Sequence, residues 1–463
     1  MTRCPRPTVT AVVTAYNHER FVADAIDSAL GQDYPAELLD VVVVNDGSTD
    51  GTGRVLDARF GSNPRVRIVH QENRGFVGAM NRALGEATRE LIALLDGDDM
   101  WPLDKLARQV AVLEQRPEVG LVHGDMEVVG DDGRTVVHES FFRFSRFDLR
   151  RGRVLAPLIG QCFVSGGASV FRAAFLERLL PIPAELHYPD WYVATQIAQW
   201  AEIDHVDGSV NRYRMHGANM GLGGTGTKFF SDMRNNVRIQ RWMLRHLDTS
   251  AEPVGDLCAA AGIMVGRTER AALELGLRPT AIHAVTGAER EAAAERVAAA
   301  GAALDAGRLD DALRGFVAAL ALNPFDGAAR AELAVGAARR ERLETAVRER
   351  GGAPETRDAV VVAFASELVA APDMLRSYAR AVPGTAPVTL LIAAEPAKAD
   401  ELAGSLGDVA AQAGLDADDA ADVLLHPCET PDELLLTPLR ALYTRRDAPP
   451  VLAGLPRVED ASL

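Results

Sequence analysis

The chain has 463 residues, enough for several domains at the usual size of about 150 residues each. Its apolar fraction of 48% can form a buried core, and its 40 glycines and 24 prolines are too few for a disordered or collagen-like chain. The net charge of −16 excludes a general affinity for nucleic acid or anionic lipid, because no basic run offsets it.

Four cysteines lie far apart, which predicts reduced thiols and neither disulfides nor a zinc site. No apolar stretch reaches the ~20 residues of a membrane helix. The apolar run near the N-terminus is too short for a signal peptide. The sequence therefore predicts no transmembrane segment and a cytoplasmic location.

The first part of the chain alternates strand and helix signals. In chain order, the predicted elements are a strand at 9–13, a helix at 19–30, a strand at 41–44, a helix at 52–60, a strand at 66–69, a helix at 76–84, a strand at 91–95, a helix from Pro102 and a hairpin at Asp132-Gly133. This alternation predicts an α/β fold, with a mostly parallel sheet flanked by helices.

The remainder is predicted to be helical first and α/β again at the end. Residues 291–324 fit the tetratricopeptide spacing, with Gly307 at the turn between two helices; an ordinary helical hairpin is the alternative. The matching positions are Ala312, Phe316, Ala319 and Pro324. From residue 358 the signals resemble half of a Rossmann-like unit without its G-x-G-x-x-G phosphate loop.

We therefore expect three domains, at 1–223, 224–350 and 351–463. The first contains the parallel sheet, the second is a helical region with one tetratricopeptide-like unit, and the third is a small α/β domain of unknown role. One helical pair cannot bury its own face, so it must pack on neighbouring helices. The helical region is also a candidate surface for a protein partner.

Three polar clusters directly follow predicted parallel strands. They are Thr14-Ala15-Tyr16-Asn17, Asn45-Asp46-Gly47-Ser48 and Asp96-Gly97-Asp98-Asp99. Ligands of open α/β sheets bind at the carboxyl ends of the strands. The clusters are therefore expected to converge on one crevice.

Asp96, Asp98 and Asp99 place three mutually repelling carboxylates at the end of a buried strand. That arrangement favours a cation, and hard oxygen ligands suit Mg²⁺ or Mn²⁺. The alternative is a solvated acidic turn. Asp46 is either a turn residue or the acceptor of a uracil imide N–H. Tyr16 either stacks on that base or is a half-buried aromatic residue at a strand end.

Four segments in this order resemble the family two inverting nucleotide-sugar glycosyltransferases, which have the A-type glycosyltransferase fold. They read VTAYNHERFVADAIDSALGQDYP, VVVVNDGSTDGT, ENRGFVGAMNRAL and LLDGDDMWPLDKL, and the resemblance runs from about Thr8 to Asn219. It implies an enzyme that transfers a hexosyl group from a nucleotide donor, with UDP the expected nucleotide, to an acceptor hydroxyl. It also implies Mg²⁺ or Mn²⁺ as the cofactor.

The resemblance also implies residue roles. Thr14, Tyr16 and Asp46 would hold the uracil, Asp98 the ribose, and Asp99 the metal with Asp96 in support. Asp190, in HYPDWYVATQIA, matches the catalytic base, and a helix cap is the alternative. Arg214 and His216 match a closing loop that contacts phosphate, although His216 could instead bond a backbone carbonyl.

The sequence departs from the family pattern at three places. Met80 replaces an arginine, so Arg74 or Arg82 is expected to supply the missing cationic contact. Pro189 replaces the glutamate before the base. The Q-x-x-R-W signature of processive synthases is absent at 196–200, which favours transfer of one sugar at a time.

The implied partners are a nucleotide-sugar donor and a glycan, lipid-linked or protein acceptor, in the assembly of cell-surface polysaccharide or glycoconjugate. A non-catalytic, nucleotide-sensing scaffold built on the helical and C-terminal units is the alternative. A nucleotidyltransferase would need a glycine-rich basic phosphate loop near the N-terminus, and residues 17–20 do not form one.

Overall fold

The structure is a computed structural model of the chain. It describes residues 6–145, 149–217, 227–275, 284–349 and 359–382, and from 386 onward all except 387, 414, 416–421, 429–433, 435–438, 446–448, 450–451, 453–454, 456 and 458–463. Two compact units are present, Met1–Ala284 and Val285–Leu463.

The first unit is built from alternating strands and helices. Its strands are β1 (Val9–Ala15), β2 (Leu39–Asp46), β3 (Val66–Gln71), β4 (Leu91–Asp96), β5 (Val119–Val129), β6 (Val136–His138), β7 (Val170–Arg172) and β8 (Glu202–Arg214). Its helices are α1 (Val22–Leu30), α2 (Thr52–Phe60), α3 (Gly75–Glu86), α4 (Lys105–Gln115), α5 (Phe141–Ser145), α6 (Leu155–Gly160), α7 (Leu176–Leu179), α8 (Pro189–Trp200), α9 (Thr227–His246) and α10 (Val254–Leu275).

These strands form one mixed sheet in the order β3-β2-β1-β4-β7-β5-β6, with β8 also paired to β5. Strands β1 to β4 are parallel, and β7 runs antiparallel between β4 and β5. The chain adds β2 and β3 on one side of β1 and β4 on the other. The carboxyl ends of β1 and β4 therefore flank the point at which the strand order reverses.

Both faces of the central strand β1 are covered, because every one of its residues is buried. Alternate residues of β1 enter different cores. Val9, Ala11 and Val13 pack with the apolar faces of α1, α2 and α4. Val12 packs on the opposite face, in a core that includes residues of α3, α6 and α8. The predicted α/β fold with flanking helices is confirmed.

The first unit continues beyond the expected boundary at residue 223, which itself lies outside the described residues. Helices α9 and α10 pack against α6. Buried Gln240 donates from Nε2 to the carbonyls of Ile159 and Gly160, at 3.0 and 2.8 Å. Arg267 Nη1 donates to the same Gly160 carbonyl at 3.1 Å. These two helices thus complete the core beside α6 and α8.

The second unit begins with helices α11 (Gly287–Asp305), α12 (Leu309–Leu322) and α13 (Gly327–Glu349). Thr286 and Glu289 form a capping box at the start of α11. Gly307 lies at the turn before α12 with φ of +73°. The predicted helical pair is therefore present, and its assignment as a tetratricopeptide unit stays a prediction.

The second unit ends in a parallel sheet. Its elements are β9 (Ala359–Phe364), α14 (Ala365–Ala370), α15 (Pro372–Ala381), β10 (Val388–Ala394), α16 (Ala399–Gln412), β11 (Asp422–Pro427) and β12 (Leu439–Leu442). The strand order is β11-β10-β9-β12. The sequence analysis predicted no strand at the position of β12. The domain boundary expected between residues 350 and 351 lies outside the described residues.

Two expectations about the whole chain can be examined in the described residues. No described helix has both the length and the apolar character needed to cross a bilayer. No disulfide joins Cys162, Cys258 and Cys428, the cysteines within the described residues, to one another.

We predict that a chain truncated after residue 223 is much less stable than one truncated after residue 284. Ile239, Met243 and Leu247 belong to the same core as α6 and α8. Each such side chain contributes about 1.5–3 kcal/mol when buried, a large share of the total stability of a domain. Urea denaturation of the two truncated chains would measure the difference, and equal midpoints would contradict the prediction.

Candidate functional site

The three polar clusters lie together at the carboxyl edge of β1, β2 and β4. In the sheet, Thr14 is level with Asp96, and Ala15 is level with Asn45. The loops after β1 and β2 are also joined, since the Asn17 N–H donates to Ser48 Oγ at 2.9 Å. The predicted convergence of the clusters on one edge is therefore present.

Gly97 allows the loop after β4 to approach β1 closely. A Cβ atom at this position would lie 2.8 Å from the Thr14 carbonyl oxygen and 2.8 Å from His18 Nδ1. The Gly97 N–H donates to the same Thr14 oxygen at 2.9 Å. A side chain here would therefore force the two acidic neighbours, Asp96 and Asp98, away from β1.

Asp98 lies between two imidazoles. His216 Nε2 is 3.1 Å from Asp98 Oδ2, and His18 Nε2 is 3.7 Å from the same oxygen. Burial raises the pKa of Asp98, but the His216 hydrogen bond and the two imidazoles outweigh it and hold that pKa below its usual range. Asp98 is therefore ionised, and it accepts hydrogen bonds at the edge of the site.

Asp96 is the carboxylate with the least compensation. Burial raises the pKa of its side chain to about 8, and the charges of Asp98 and Asp190 add to this effect. Within the described residues, no donor forms a hydrogen bond with the Asp96 side chain. A cation or a proton is the natural counterpart of such a group.

Asp99 is held inside the fold. It is 1% exposed, and its Oδ2 accepts a hydrogen bond from Asn211 Nδ2 at 2.8 Å. Its Oδ1 accepts from the Arg214 backbone N–H at 2.9 Å. Burial, with Asp98 and Asp96 nearby, raises its pKa well above the usual value. The Asp99 carboxylate thus anchors the end of β8 and is not the open ligand that the sequence suggested.

Asp46 and Tyr16 lie where a base could bind. Asp46 is buried, and its Oδ1 accepts from Gln71 Nε2 at 2.7 Å and from the Arg74 N–H at 2.8 Å. Its Oδ2 has no hydrogen-bond partner among the described residues. Tyr16 is 45% exposed. Asp46 thus has one fixed and one available acceptor oxygen, and Tyr16 has an exposed ring.

Asp190 lies in the first turn of α8, one residue after Pro189. Its Oδ1 accepts from the Trp191 N–H at 2.9 Å, and its Oδ2 lies 3.4 Å from the Gly166 nitrogen. Burial raises its pKa, and the N–H groups of Trp191 and Gly166 partly offset that rise. The helix cap is Tyr188, so Asp190 is a first-turn residue and does not occupy the capping position.

The four candidate phosphate or loop contacts have different surroundings. Arg74 is exposed, and no described residue forms a hydrogen bond or ion pair with its guanidinium. Arg82 pairs with Glu86 at 2.8 Å on the surface of α3. His216 bonds Asp98, as described above, and stacks on Phe21 at 4.8 Å. Arg74 is therefore the cation best placed to meet a ligand.

Arg214 holds several segments together. Its side chain is 3% exposed, and its Nε and Nη1 donate to the carbonyls of Asp98 and Asp131, each at 3.0 Å. Its Nη2 donates to Asp24 Oδ2 at 2.9 Å. The guanidinium also lies over the Phe21 ring. The expected phosphate contact by Arg214 therefore does not agree with the structure, because its donors are used within the fold.

Two site residues were missed by the sequence analysis. His18 directly follows the first polar cluster, and that position was the only signal for it. Burial lowers the pKa of His18, and the charge of Asp98 opposes that shift. Asn211 gave no local signal, because it lies in β8, far in sequence from the carboxylate that it bonds.

Within the described part of the chain, no three histidine, cysteine, aspartate or glutamate side chains are arranged to hold a metal ion by themselves.

Comparisons with known proteins show what this chain is similar to. The sequence profile of Glycosyl transferase family 2 matches residues 10–180. An uncharacterized glycosyltransferase of Nostoc sp. is 28% identical over 214 residues, which cover 46% of this chain and 66% of that protein. Chondroitin synthase of Pasteurella multocida is 41% identical over 132 residues, which cover 28% of this chain and 14% of that protein.

Among solved structures, a mannosyltransferase from Pyrobaculum calidifontis, in complex with GDP-Man and Mn²⁺, is 23% identical with a TM-score of 0.43. The match covers 70% of this chain and 88% of that protein. The profile match spans β1 to α7 and includes all three polar clusters, so residues 10–180 are similar to Glycosyl transferase family 2.

Proposed function

We propose that the chain transfers a sugar from a UDP-linked donor to an acceptor hydroxyl, with inversion at the anomeric carbon and with a divalent cation. One observation carries the proposal. Asp96 and Asp98, at the end of β4 and in the loop after it, form one group of interacting carboxylates with Asp190 of α8, at the reversal point of the sheet. A base and a cation site next to a nucleotide crevice are the parts that such a transfer needs.

The nucleotide is proposed to bind over β1 and β2. The uracil imide N–H would donate to the available Oδ2 of Asp46, and the exposed ring of Tyr16 would stack on the base. Thr14 lies beside them at the end of β1. Arg74, exposed at the start of α3, is the proposed contact for the diphosphate.

A cation is proposed to bind Asp96 and Asp98. Two carboxylates with oxygen atoms from a diphosphate are a donor set that suits Mg²⁺ or Mn²⁺, which seldom rely on an all-protein cage. The raised pKa of Asp96 fits this role, because a cation would supply the missing compensation. When bound, the cation would neutralise charge on the departing diphosphate. Asp99 is left out, because its oxygens already accept two protein hydrogen bonds.

Asp190 is the proposed base. It would accept the proton of the acceptor hydroxyl, whose oxygen attacks the anomeric carbon on the face opposite the diphosphate. The N–H groups of Trp191 and Gly166 hold the two carboxylate oxygens in place before the acceptor arrives. Because a base must be ionised, its raised pKa means that turnover falls as the solution is acidified.

The wider setting is proposed in the same way. The absence of a Q-x-x-R-W signature supports addition of one sugar at a time. The similarity to a chondroitin synthase supports an acceptor in polysaccharide or glycoconjugate assembly. The proposed location is the cytoplasm. A protein partner would bind the helical region. The alternative is a scaffold that binds nucleotide and transfers nothing.

We predict that Asp190→Asn lowers turnover by about 10²–10⁴-fold, because it removes the proton acceptor and keeps the size of the side chain. UDP affinity should not change. The assay is UDP release from UDP-glucose, UDP-N-acetylglucosamine or UDP-glucuronate, and calorimetry gives the affinity. Asp207→Asn, at a 99% exposed side chain, is the matched control. Wild-type turnover in Asp190→Asn would exclude this base, and UDP binding without any turnover in the wild type would favour the scaffold.

We predict that UDP raises the melting temperature in Mn²⁺ and not in EDTA. A bridging cation offsets the repulsion between the diphosphate and the carboxylates, and a ligand at 100 times its Kd stabilises the fold by about 2.7 kcal/mol. Asp96→Asn should remove most of the shift. Equal stabilisation by UDP in Mn²⁺ and in EDTA would rule out the cation.

We predict that Mn²⁺ alone stabilises the protein more at pH 8.5 than at pH 6.5. The folded-state pKa of Asp96 is raised to about 8 from 3.8, so its contribution to stability is complete below pH 3.8 and is lost as the pH rises through 8. Above that pH a cation replaces the lost proton. Melting curves across this range should show the effect in the wild type and a flatter response in Asp96→Asn. A pH-independent Mn²⁺ effect in both proteins would contradict the prediction.

A further inference from the structure

Trp101, Lys105 and Gln109 are polar side chains buried beneath the site, and the proposed reaction does not use them. Lys105 and Gln109 are fully buried on α4, and Trp101 is 4% exposed just before it. Burial holds the pKa of Lys105 well below its usual value, and the charge of Arg108 adds to the effect. Burying an amine is costly unless it is hydrogen-bonded.

These three side chains, which we call the α4 clamp, donate to one loop at residues 165–169. Trp101 Nε1 and Lys105 Nζ each lie 3.1 Å from the Gly167 carbonyl oxygen. Gln109 Nε2 lies 2.9 Å from the Ala168 carbonyl oxygen. Three buried donors, two on α4 and one just before it, therefore bond two successive carbonyls of the loop.

The clamped loop also contains its own hydrogen bonds. The Ala168 N–H donates to the Ser165 carbonyl at 3.2 Å, and the Ser169 N–H donates to the Gly166 carbonyl at 2.9 Å. A tight turn whose carbonyls are bonded to α4 in this way has little freedom to shift. Two adjacent glycines of this turn, Gly166 and Gly167, have no side chain, so their backbone closely approaches other parts of the site.

The two glycines contact Asp190 itself and Asn211, the residue that bonds Asp99. The Gly166 nitrogen is 3.4 Å from Asp190 Oδ2, and a Cβ on Gly166 would lie 3.1 Å from Asp190 Cβ. A Cβ on Gly167 would lie 2.9 Å from Asn211 Nδ2, the atom that bonds Asp99. A small displacement of the loop is therefore transmitted directly to Asp190.

We infer that the α4 clamp positions Asp190 for proton transfer by fixing the 165–169 loop against it. This inference rests on the proposed function, in which Asp190 is the base. The clamp residues are positioning residues, since they act through the backbone of the loop. A misplacement of about 1 Å costs up to ~10²-fold in rate, so loss of the clamp lowers turnover and leaves donor binding intact.

The test uses Lys105→Met and Gln109→Met in the full chain. Each replacement keeps an unbranched side chain of similar length and removes the donor. Arg172→Met is the matched control, because Arg172 also donates to backbone carbonyls, those of Leu113, Arg116 and Val119, none of which belongs to the loop. UDP release from the best of the three UDP-sugars above gives kcat and KM. Hydrogen exchange of the Ala168 and Ser169 amides reports on the loop without any need for activity.

We expect each clamp variant to lower kcat about 10- to 100-fold with KM nearly unchanged, and to speed exchange of the loop amides. Arg172→Met should lower the melting temperature and alter neither readout. In the Asp190→Asn background, the clamp variants should have little further effect on the residual rate, because they act through the missing group.

Unchanged loop exchange, unchanged kcat or effects that multiply with Asp190→Asn would overturn the inference. If Asp190→Asn itself keeps wild-type turnover, the proposed base fails instead. The exchange data would then still decide whether the clamp holds the loop. The two failures are therefore distinguishable.

Discussion

Carboxylates crowded at the carboxyl edge of a buried sheet repel one another, and much of the first unit is arranged around that repulsion. Water would screen these charges, but β1 and β4 are buried on both faces, so the surrounding residues must compensate for them. The sheet determines where the charges lie, since Thr14 and Asp96 are level in register. The loops determine how each charge is compensated.

The three aspartates at the end of β4 and in the loop after it have three different surroundings. Asp98 is paired with two imidazoles, which keep it ionised. Asp99 accepts hydrogen bonds from the Asn211 side chain and the Arg214 N–H, which join the loop after β4 to β8. Asp96 accepts no hydrogen bond from a donor among the described residues. Its charge must therefore be offset by a proton or a cation taken up from solution. Adjacent residues of the same type thus have different physical roles.

The sequence correctly predicted the features that depend on local residue pattern, namely the strands and the polar clusters that follow them. Runs such as Val41–Val44 indicated strands buried on both faces, and the polar clusters after them indicated the edge at which they meet. It could not separate Asp98 from Asp99, because that difference comes from Asn211 and the Arg214 N–H, more than a hundred positions later in the chain. The sequence also misled about Arg214 for the same reason. An arginine that contacts a ligand and a buried arginine that bonds several segments of the fold have the same local sequence pattern.

The extent of the first unit was also invisible to local pattern. The sequence analysis predicted a new, helical domain after residue 223. Whether such helices belong to the preceding core depends on the face that they bury. Here Gln240 and Arg267 donate to carbonyls at the end of α6, and these long-range contacts have no periodic signature in the sequence.

Gly97 has a consequence for how this site can change in evolution. A side chain at residue 97 would meet both the Thr14 carbonyl oxygen and the ring of His18. The backbone oxygen cannot be removed by substitution, whereas the imidazole can. A smaller residue at 18 would relieve one clash and leave the other, so no single substitution opens the position. Neighbouring lineages are therefore expected to retain this glycine even where the histidine that partners Asp98 is exchanged.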